Sequence, residues 1–382
     1  MKKVGIIAEY NPFHNGHIYH LKEAKKMFND AYFILVLIGN FTQRGDVSVL
    51  NKWDKTSIAL KYGYDLVVEL PFNISTSSAN YYAKGAIEIL NKLECDFLVF
   101  GSESNNVEML KEVVNITNNN KEYENKIRQY LNEGYNYPKS CSLALNDISS
   151  IMIDKPNDVL ALEYVRAIYN INSNIKPISI KRTNKYHEEE ILNNIASASS
   201  IRKNINNKSL IKNTMPTSSF NKIRDIKLND YFNYIKYEII TNDNLNEILD
   251  VDEGIENKIR KEIFNVSNVD ELIMKIKSKR YSYNRIKRML LHILSKTKKD
   301  YNTKINYIRV LGLNHNGKKI IKSIKDNIDV PIITKYKKEY DSLFKDDIKA
   351  SKLYSLITDY DYKEDYKSSI IKETKNGMHP LK

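Results

Sequence analysis

The chain has 382 residues, a formal net charge of +13 at pH 7 and a sequence pI near 9.2. This length predicts two or three domains with a sizeable core, and the charge favours a polyanionic partner. The longest apolar runs, such as residues 33–38, are too short to cross a bilayer, and only two cysteines, Cys95 and Cys141, exclude a disulfide framework or a cysteine-rich metal site.

The start of the chain predicts no targeting segment. Lys2 and Lys3 precede an apolar stretch, but Glu9 interrupts that stretch before the core of a signal peptide is complete. Because a chain of this length needs no disulfide to stabilise it, we expect a cytoplasmic protein without a membrane partner.

The first predicted element is a buried strand, residues 4–8, followed by a loop with two histidines around a glycine. The strand is β-branched and almost uncharged, as expected in a parallel sheet covered on both faces. The loop reads Asn11-Pro12-Phe13-His14-Asn15-Gly16-His17, and apolar positions follow at helical spacing from Gly16 onward. The sequence therefore predicts that the loop ends at a helix N-terminus.

This loop has the features of a phosphate site. Free backbone N–H groups and the positive end of a helix dipole attract anions, and Gly16 removes a side chain where a phosphate must approach. His14 and His17 add donors for a phosphoryl group whose charge builds in a transition state. The alternative is a pair of histidines with structural hydrogen bonds only.

Strands and helices then alternate. Strands are predicted at residues 32–38, 65–70 and 97–100, and helices at residues 51–62 and 79–93. Strands separated by helices predict an α/β fold with a Rossmann-like, doubly wound parallel sheet. Ligands of such sheets bind at the carboxyl ends of the strands, which here include Gly39–Gly45 and Gly101.

The next part of the chain adds a helical segment and a fifth strand. Residues 105–149 are polar and Asn-rich, and we interpret them as a mostly helical insertion or cover. A helix at residues 158–170 and a strand at residues 175–180 resume the alternation, with Arg182 just beyond that strand.

A second phosphate-type element follows at Ser197-Ala198-Ser199-Ser200-Ile201-Arg202. Serines at a helix start, with an arginine one turn later, cap the helix and bind phosphate together. An ordinary serine cap is the alternative interpretation.

From about residue 205 the chain changes to Lys-rich helical stretches. Residues 273–299 contain ten basic residues and no acidic one, together with Tyr281 and Tyr283, and this pattern favours an RNA backbone as partner. A solvated charged face is the alternative. We therefore expect a nucleotide-binding catalytic domain at residues 1–204 and a basic, mainly helical RNA-binding domain at residues 205–382. The RNA-binding candidates are Lys279, Arg280, Arg285, Lys287 and Arg288.

With these motifs the chain resembles the nucleotidylyltransferase superfamily and, within it, the bacterial tRNA(Met) cytidine acetate ligase family. The His-x-Gly-His motif by itself indicates only the superfamily, but the likeness covers nearly the whole chain. The stretches that support it are GIIAEYNPFHNGHIYH from Gly5, GNFTQRG from Gly39, DLVVELPF from Asp65, AKGA from Ala83, FGSE from Phe100, Pro156-Asn157, SSIR from Ser199 and RMLL from Arg288.

The resemblance implies an enzyme that joins acetate to ATP, forming acetyl-adenylate, and passes the acetyl group to the wobble cytidine of elongator tRNA(Met) as N4-acetylcytidine. It also implies a set of ATP-binding residues: Ile7, Ala8, Glu9, Tyr10, Asn11, Pro12, Phe13, His14, Asn15, Gly16, His17, Ile18, Tyr19, His20, Gly101, Asn157 and Arg182. The sequence departs from the family pattern at Asp46-Val47-Ser48, where we expect a Pro-Ala pair, and at Asp158, where we expect a second asparagine.

For the reaction we expect His14 and His17 to contact the α- and β-phosphates. Ser199, Ser200 and Arg202 are expected at the β- and γ-phosphates, with assistance from Mg²⁺ but no metal-ligating residues in the chain.

Two other functions fit parts of the sequence. One is a conventional nucleotidylyltransferase that adenylylates a phosphate-bearing small molecule, which needs no long basic C-terminal region. The other is a non-catalytic, nucleotide-dependent RNA-binding protein, against which the complete motifs argue. Gln43, Arg44, Trp53 and Asp54 fit either a pocket or a structural turn, and the sequence predicts no oligomeric state.

Overall fold

The computed structural model describes residues 1–182, 194–367, 370–374 and 377–380. The strands are β1 (Lys2–Ala8), β2 (Ala31–Ile38), β3 (Leu66–Leu70), β4 (Phe97–Ser102), β5 (Lys176–Lys181), β6 (Ile308–Leu313), β7 (Ile332–Ile333), β8 (Ile371–Thr374) and β9 (Gly377–Pro380). Helices of the N-terminal half are α1 (Asn15–Met27), α2 (Lys52–Lys61), α3 (Phe72–Ser75), α4 (Ala79–Lys92), α5 (Val107–Thr117), α6 (Lys121–Asn132), α7 (Tyr137–Ser149), α8 (Pro156–Asn170) and α9 (Ala198–Lys203). Helices of the C-terminal half are α10 (Lys208–Ile211), α11 (Thr217–Phe220), α12 (Phe232–Thr241), α13 (Ile255–Glu262), α14 (Val269–Ile276), α15 (Tyr283–Ser295), α16 (His315–Ile324), α17 (Asp341–Ser355) and α18 (Glu364–Lys367).

The central sheet has the strand order β5-β4-β1-β2-β3-β6-β8-β9, with β7 paired to β6. The first five strands of this order are parallel, and β1 lies between β2 and β4. The predicted α/β fold with a parallel, doubly wound sheet is therefore confirmed for the N-terminal half. All five carboxyl ends meet at one edge, where ligands of such sheets bind.

The C-terminal half is mainly helical, as predicted, but among its described residues it adds four strands, β6 to β9, that the sequence prediction lacked. β6 is buried along its whole length and pairs antiparallel with β3, so the complete sheet is mixed. Its one charged residue, Arg309, lies 3.1 Å from Glu69 and 2.9 Å from Asp365, which compensates the buried charge. Through this strand the C-terminal half is inserted into the sheet of the N-terminal half.

Both faces of the sheet are covered by helices. On β2, Ile34, Val36 and Ile38 pack into a core with α4 and α8, while the alternating Phe33, Leu35 and Leu37 pack into a core with α1 and α2. The segment at residues 105–149 was predicted to be mostly helical, and it forms α5, α6 and α7. These helices pack onto the core that contains α4 and α8.

The helices α12, α13, α14 and α15 form a further core together with residues of α3 and α17. The helix α15 has an apolar stripe that faces this core, since Ile286, Leu290 and Leu291 are fully buried in it. Phe41, from the loop after β2, enters the same core and lies 6.2 Å from the ring of Tyr231. The loop at the ligand edge of the sheet is thus packed against the C-terminal helices. No helix in the described residues is long and apolar enough to cross a membrane.

Candidate active site

The loop after β1 and the first turn of α1 form a compact structure closed by the two histidines. His14 is the N-cap of α1, and its Nδ1 accepts the N–H of Gly16 at 3.0 Å. His17 Nδ1 accepts the N–H of His14 at 3.2 Å, and the two rings lie 3.9 Å apart between centroids. Because each Nδ1 accepts a backbone N–H, a neutral ring carries its proton on Nε2. Each histidine therefore keeps one N–H donor for another group.

Burial keeps these rings neutral. It lowers the pKa of His14 to about 3, with further lowering from the charges of Arg182 and Arg202. Burial also lowers the pKa of His17 well below its usual value, and it lowers the pKa of the neighbouring His20 to about 4. At pH 7 the loop thus offers neutral imidazole donors, while the positive charge comes from the two arginines.

The predicted serine–arginine element packs directly onto this loop. Ser197 caps α9 by accepting the N–H of Ser200 at 3.1 Å, and Arg202 Nη1 donates to the carbonyl of Asn11 at 2.7 Å. Arg202 Nη2 also lies 3.4 Å from Ser199 Oγ. Ser199 is exposed, whereas Ser200 is 3% exposed. The fold therefore brings Arg202 and Ser199 to the histidine loop, and Ser200 lies beneath them in the helix start.

The turn after β4 and the start of α8 meet beside Arg182. A side chain at Gly101 would contact Arg182, since a Cβ there would lie 3.4 Å from Arg182 Cγ. Asn157 Nδ2 donates to Glu103, whose other carboxylate oxygen accepts the N–H of Asp158 at 3.0 Å. Burial lowers the pKa of Arg182 from its usual value, and the charge of Glu103 opposes that shift.

Asp158, which departs from the family pattern, has a clear structural role. Its Oδ1 accepts Ser102 Oγ at 2.5 Å and the N–H of Glu103 at 3.0 Å, and its Oδ2 accepts the N–H of Ser104 at 3.0 Å. Both carboxylate oxygens thus accept hydrogen bonds, which closes the turn after β4. A carboxylate suits this position because every neighbouring group is a donor.

Three buried nitrogen atoms beside the loop lack a partner. Within the described part of the chain, Asn11 Nδ2, His20 Nε2 and Arg182 Nε are buried and make no hydrogen bond. A buried unpaired polar group costs about 1–3 kcal/mol, so such groups are rare unless a ligand or water satisfies them. All three belong to the residues predicted to bind ATP, and their coincidence at one edge of the sheet indicates a polar ligand.

The residues that the sequence left unassigned have structural contacts. Gln43 donates its backbone N–H to Glu9 Oε1 at 2.9 Å and its Nε2 to the carbonyl of Ser77 at 3.0 Å. Trp53 Nε1 donates to Tyr360 Oη at 3.1 Å, and Asp54 accepts from Lys222 at 2.6 Å. Arg44 lies close enough to Arg182 for its charge to lower the pKa of that guanidinium. Gln43, Trp53 and Asp54 thus hold the loops together, while Arg44 adds positive charge beside the site.

The basic segment, residues 273–299, is mostly neutralised by acidic residues from elsewhere in the chain. Eight of its ten cations form ion pairs: Lys275 with Glu262, Arg280 with Glu253, Arg285 and Lys299 with Asp252, Lys287 with Asp46, Arg288 with Asp250, Lys296 with Glu238 and Lys298 with Glu247. The segment is therefore less positive at its surface than its sequence indicates, because the acidic residues that pair with its cations lie outside residues 273–299.

Arg288 is the least accessible of the RNA-binding candidates. It is 9% exposed, and its Nε and Nη2 donate to the two carboxylate oxygens of Asp250 at 2.7 and 3.2 Å. A guanidinium held in this way is not presented to a phosphate in solvent. By contrast, Lys279 and Arg280 are exposed, and Arg285 lies 4.2 Å from the centre of the Tyr281 ring.

Asp46, which the sequence analysis gave only as a departure from the family pattern, has contacts that it did not predict. It joins Arg202 of the serine–arginine element to Lys287 of the basic segment. No local pattern signals such a contact, because 241 positions separate Asp46 from Lys287. Over the ranges that the structure describes, no group of three or more His, Cys, Asp or Glu side chains is arranged to hold a metal ion.

Comparisons with known proteins agree with this geometry. The model of a family described as HIGH Nucleotidyl Transferase matches residues 1–369. A tRNA(Met) cytidine acetate ligase of Caldicellulosiruptor saccharolyticus is 40% identical, over 96% of this chain and 96% of that protein. One of Clostridium perfringens strain ATCC 13124 is also 40% identical, over 94% of this chain and 96% of that protein.

Solved structures of one protein share the fold over nearly the whole chain. The crystal structure of Thermotoga maritima TmcAL in its apo form I superimposes with a TM-score of 0.90 at 27% identity, over 97% of this chain and 99% of that chain. The same protein bound with alpha-thio ATP superimposes with a TM-score of 0.88 at 27% identity, over 98% of this chain and 100% of that chain.

Proposed function

The chain belongs to the HIGH nucleotidyl transferase family and, within it, to the tRNA(Met) cytidine acetate ligases, and from this premise we propose that it ligates acetate to a tRNA cytidine with ATP. The observation that supports ATP at this site most directly is the group of unpaired buried nitrogen atoms on Asn11, His20 and Arg182. They flank the loop before α1, along which we propose that the nucleotide lies. The solved relative bound with alpha-thio ATP supports the same ligand.

The first step of the proposed reaction creates a leaving group on acetate. A carboxylate oxygen attacks the α-phosphorus, the bond from that phosphorus to the bridging oxygen breaks, and pyrophosphate leaves with the electron pair. The protein supplies no covalent nucleophile for this step. It supplies placement of acetate in line with the α-phosphate, and stabilisation of the charge that moves onto pyrophosphate.

His14 and His17 are proposed to stabilise that charge at the α- and β-phosphates through their Nε2–H groups. The backbone fixes each ring through Nδ1, so little reorganisation is needed when a phosphate oxygen arrives. Arg202, with Ser199 exposed beside it and Ser200 in the same helix start, is proposed to contact the β- and γ-phosphates. Gly101, Asn157 and Arg182 are proposed to hold the adenosine end of the nucleotide.

The second step transfers the acetyl group to RNA. The N4 amine of the wobble cytidine attacks the acyl carbon, the bond from that carbon to the phosphate oxygen breaks, AMP leaves, and the amine loses one proton to solvent. Because the base lies in an anticodon loop, the enzyme can turn it outward without opening a helix. We propose that the exposed cations Lys279 and Arg280, together with Arg285 and Lys287, hold the RNA backbone.

Mg²⁺ enters this proposal as part of the nucleotide substrate. The side chains around the loop offer imidazole and guanidinium donors, whereas Mg²⁺ prefers the oxygens of carboxylates, phosphates and water. The described residues therefore do not fit a resident magnesium site, and the phosphate oxygens of ATP would hold the ion.

The test is transfer of label from [14C]acetate to an elongator tRNA(Met) transcript, with and without ATP, followed by nucleoside analysis. We expect ATP-dependent N4-acetylcytidine, and no label on a matched transcript with uridine at the wobble position. Unlabelled tRNA, with ATP–pyrophosphate exchange that depends on some other acceptor, would instead indicate a conventional nucleotidylyltransferase. Loss of both activities would indicate a binding protein.

A further inference from the structure

One carboxylate is shared between the proposed triphosphate site and the proposed RNA-binding helix. Asp46 Oδ2 lies 3.7 Å from Arg202 Nη2, and its Oδ1 forms an ion pair with Lys287 Nζ. The side chain of Asp46 is 21% exposed, that of Arg202 25% and that of Lys287 17%. Water therefore screens this group less than it screens a pair at the surface. Asp46 thus compensates two cations that face different proposed ligands.

The backbone around Asp46 fixes it between these two cations. Gly45 has a φ of +78°, and a Cβ on it would lie 2.7 Å from the backbone nitrogen of Arg288. The turn is therefore in close contact with the backbone of α15, beside Lys287. On the other side, Arg202 is held to the loop after β1 through the carbonyl of Asn11.

The carboxylate of Asp46 is not needed to form this turn. The carbonyl of Asp46 accepts the N–H of Thr42 at 2.9 Å, and the N–H of Asp46 donates to Thr42 Oγ1 at 3.0 Å. Both bonds use backbone atoms of Asp46, so a change confined to its side-chain charge leaves them in place. The side chain is available for a role other than folding the turn.

On the basis of the proposed function, we propose that Asp46 is a positioning residue that makes a nucleoside triphosphate and tRNA bind antagonistically. Among the described ion pairs of Asp46, a triphosphate that takes Arg202 leaves the pair with Lys287. An RNA phosphate that then takes Lys287 leaves Asp46 uncompensated, which is less favourable than when Arg202 still pairs with it. By linkage, RNA bound at Lys287 weakens the triphosphate by the same factor.

This antagonism would order the reaction. Before the first step Arg202 is occupied by the β- and γ-phosphates, and tRNA binding is weakened. Once pyrophosphate leaves, Arg202 returns to Asp46 and Lys287 becomes available to the RNA backbone. Acetyl-adenylate, which lacks the β- and γ-phosphates, is therefore compatible with bound tRNA, and ATP is less so.

The experiment measures the dissociation constant of α,β-methylene-ATP, with and without saturating unmodified tRNA, by isothermal titration calorimetry on the full chain. In the wild type we expect tRNA to weaken the analogue by about fivefold, at the low end of coupling between sites. AMP is the matched ligand control, because it lacks the groups assigned to Arg202, and tRNA should change its affinity less. We define the antagonism ratio as the dissociation constant with tRNA divided by that without tRNA. In Asp46→Asn this ratio for the analogue should fall to the ratio measured for AMP.

Two further variants separate this role from a general effect of charge. Asp46→Glu keeps the carboxylate and should keep the antagonism, whereas Glu247→Gln, which breaks the exposed pair with Lys298, should leave the antagonism at its wild-type value. Should Asp46→Asn not fold, Lys287→Gln removes the other partner and should abolish the antagonism equally. An unchanged ratio in Asp46→Asn, or no antagonism in the wild type, would overturn the inference. If the wild type nevertheless forms N4-acetylcytidine, the proposed function stands without it.

Discussion

The histidine loop and the basic segment differ in where their functional side chains find partners. His14 and His17 are fixed by backbone N–H groups only two or three residues away. In the basic segment, Lys287 pairs with a carboxylate 241 residues away, and Arg288 pairs with one 38 residues away. A local motif therefore specifies its own geometry, whereas a run of like charges acquires its properties from the fold around it.

Within the basic segment, we expect Arg288→Met to have the largest effect on stability. Removing the guanidinium leaves the mostly buried carboxylate of Asp250 with the ring of His292, whose Nδ1 lies 3.2 Å away, as its remaining described partner, and we expect the free energy of unfolding to fall by about 3 kcal/mol. Urea unfolding measures the change. Arg280→Met is the control, because its pair with Glu253 is about half exposed and should contribute at most about 1 kcal/mol. Equal effects of the two variants would show that the segment is a uniform surface.

The histidine loop is tested by two replacements of His17. An asparagine side chain would retain an acceptor for the N–H of His14 but would lack the Nε2–H donor, and a glutamine side chain would restore a donor near the position of Nε2. We expect His17→Asn to slow acetate-dependent ATP–pyrophosphate exchange by about 100-fold, as for loss of one donor to a developing charge, and His17→Gln to slow it less. The exposed His315→Ala is the control. Full activity in His17→Asn would mean that His17 has only a structural role.

The neutrality of the loop predicts a pH dependence of stability. The pKa of His14 is lowered from 6.5 to about 3, so its contribution is complete above about pH 6.5 and is lost as the pH falls towards 3. Between pH 7 and pH 5 we expect the wild type to lose about 2 kcal/mol more stability than His14→Asn, which keeps a helix cap but does not titrate. Urea unfolding at the two pH values measures the difference, and equal losses would mean that His14 titrates normally in the folded protein.

The exposed end of the basic segment should give the smallest effect. In the double variant Lys279→Gln, Arg280→Gln we expect tRNA affinity to fall several-fold and the slope of log affinity against log salt to decrease by about 2, one for each phosphate contact. Acetate-dependent ATP–pyrophosphate exchange should stay at the wild-type rate. The control is the double variant Lys318→Gln, Lys319→Gln on α16, whose lysines are also exposed. A loss of exchange activity would mean that these cations also serve the first step.

Much of the N-terminal half was predictable because its signals are local. The predicted helix after the histidine loop starts at Asn15, one residue before the expected glycine, and the predicted fourth strand extends only two residues further, to Ser102. Parallel strands buried on both faces are uniformly apolar, and the helices between them have clear amphipathic spacing. For this reason, the alternation of strands and helices in the sequence was enough to predict at which edge of the sheet the ligand binds.

The parts that could not be predicted depend on contacts between distant residues. β6 is a six-residue segment of apolar residues interrupted by Arg309, and it lies beside β3 with Arg309 paired to Glu69 and Asp365. The ion pairs of Arg288 and Asp46 are equally remote in sequence. A count of charges within a window cannot detect such partners, so the basic segment was predicted to be more positive at its surface than the fold makes it.

The most direct test of this account is acetate-dependent exchange of label between pyrophosphate and ATP by the full chain in the complete absence of tRNA. All the groups proposed for the first step lie between Ile7 and Arg202, and the basic segment is proposed to act only in the second step. We therefore predict rapid exchange without tRNA and abolition of exchange when acetate is omitted. Exchange that occurs only when tRNA is present would contradict the division of the two steps between the two regions.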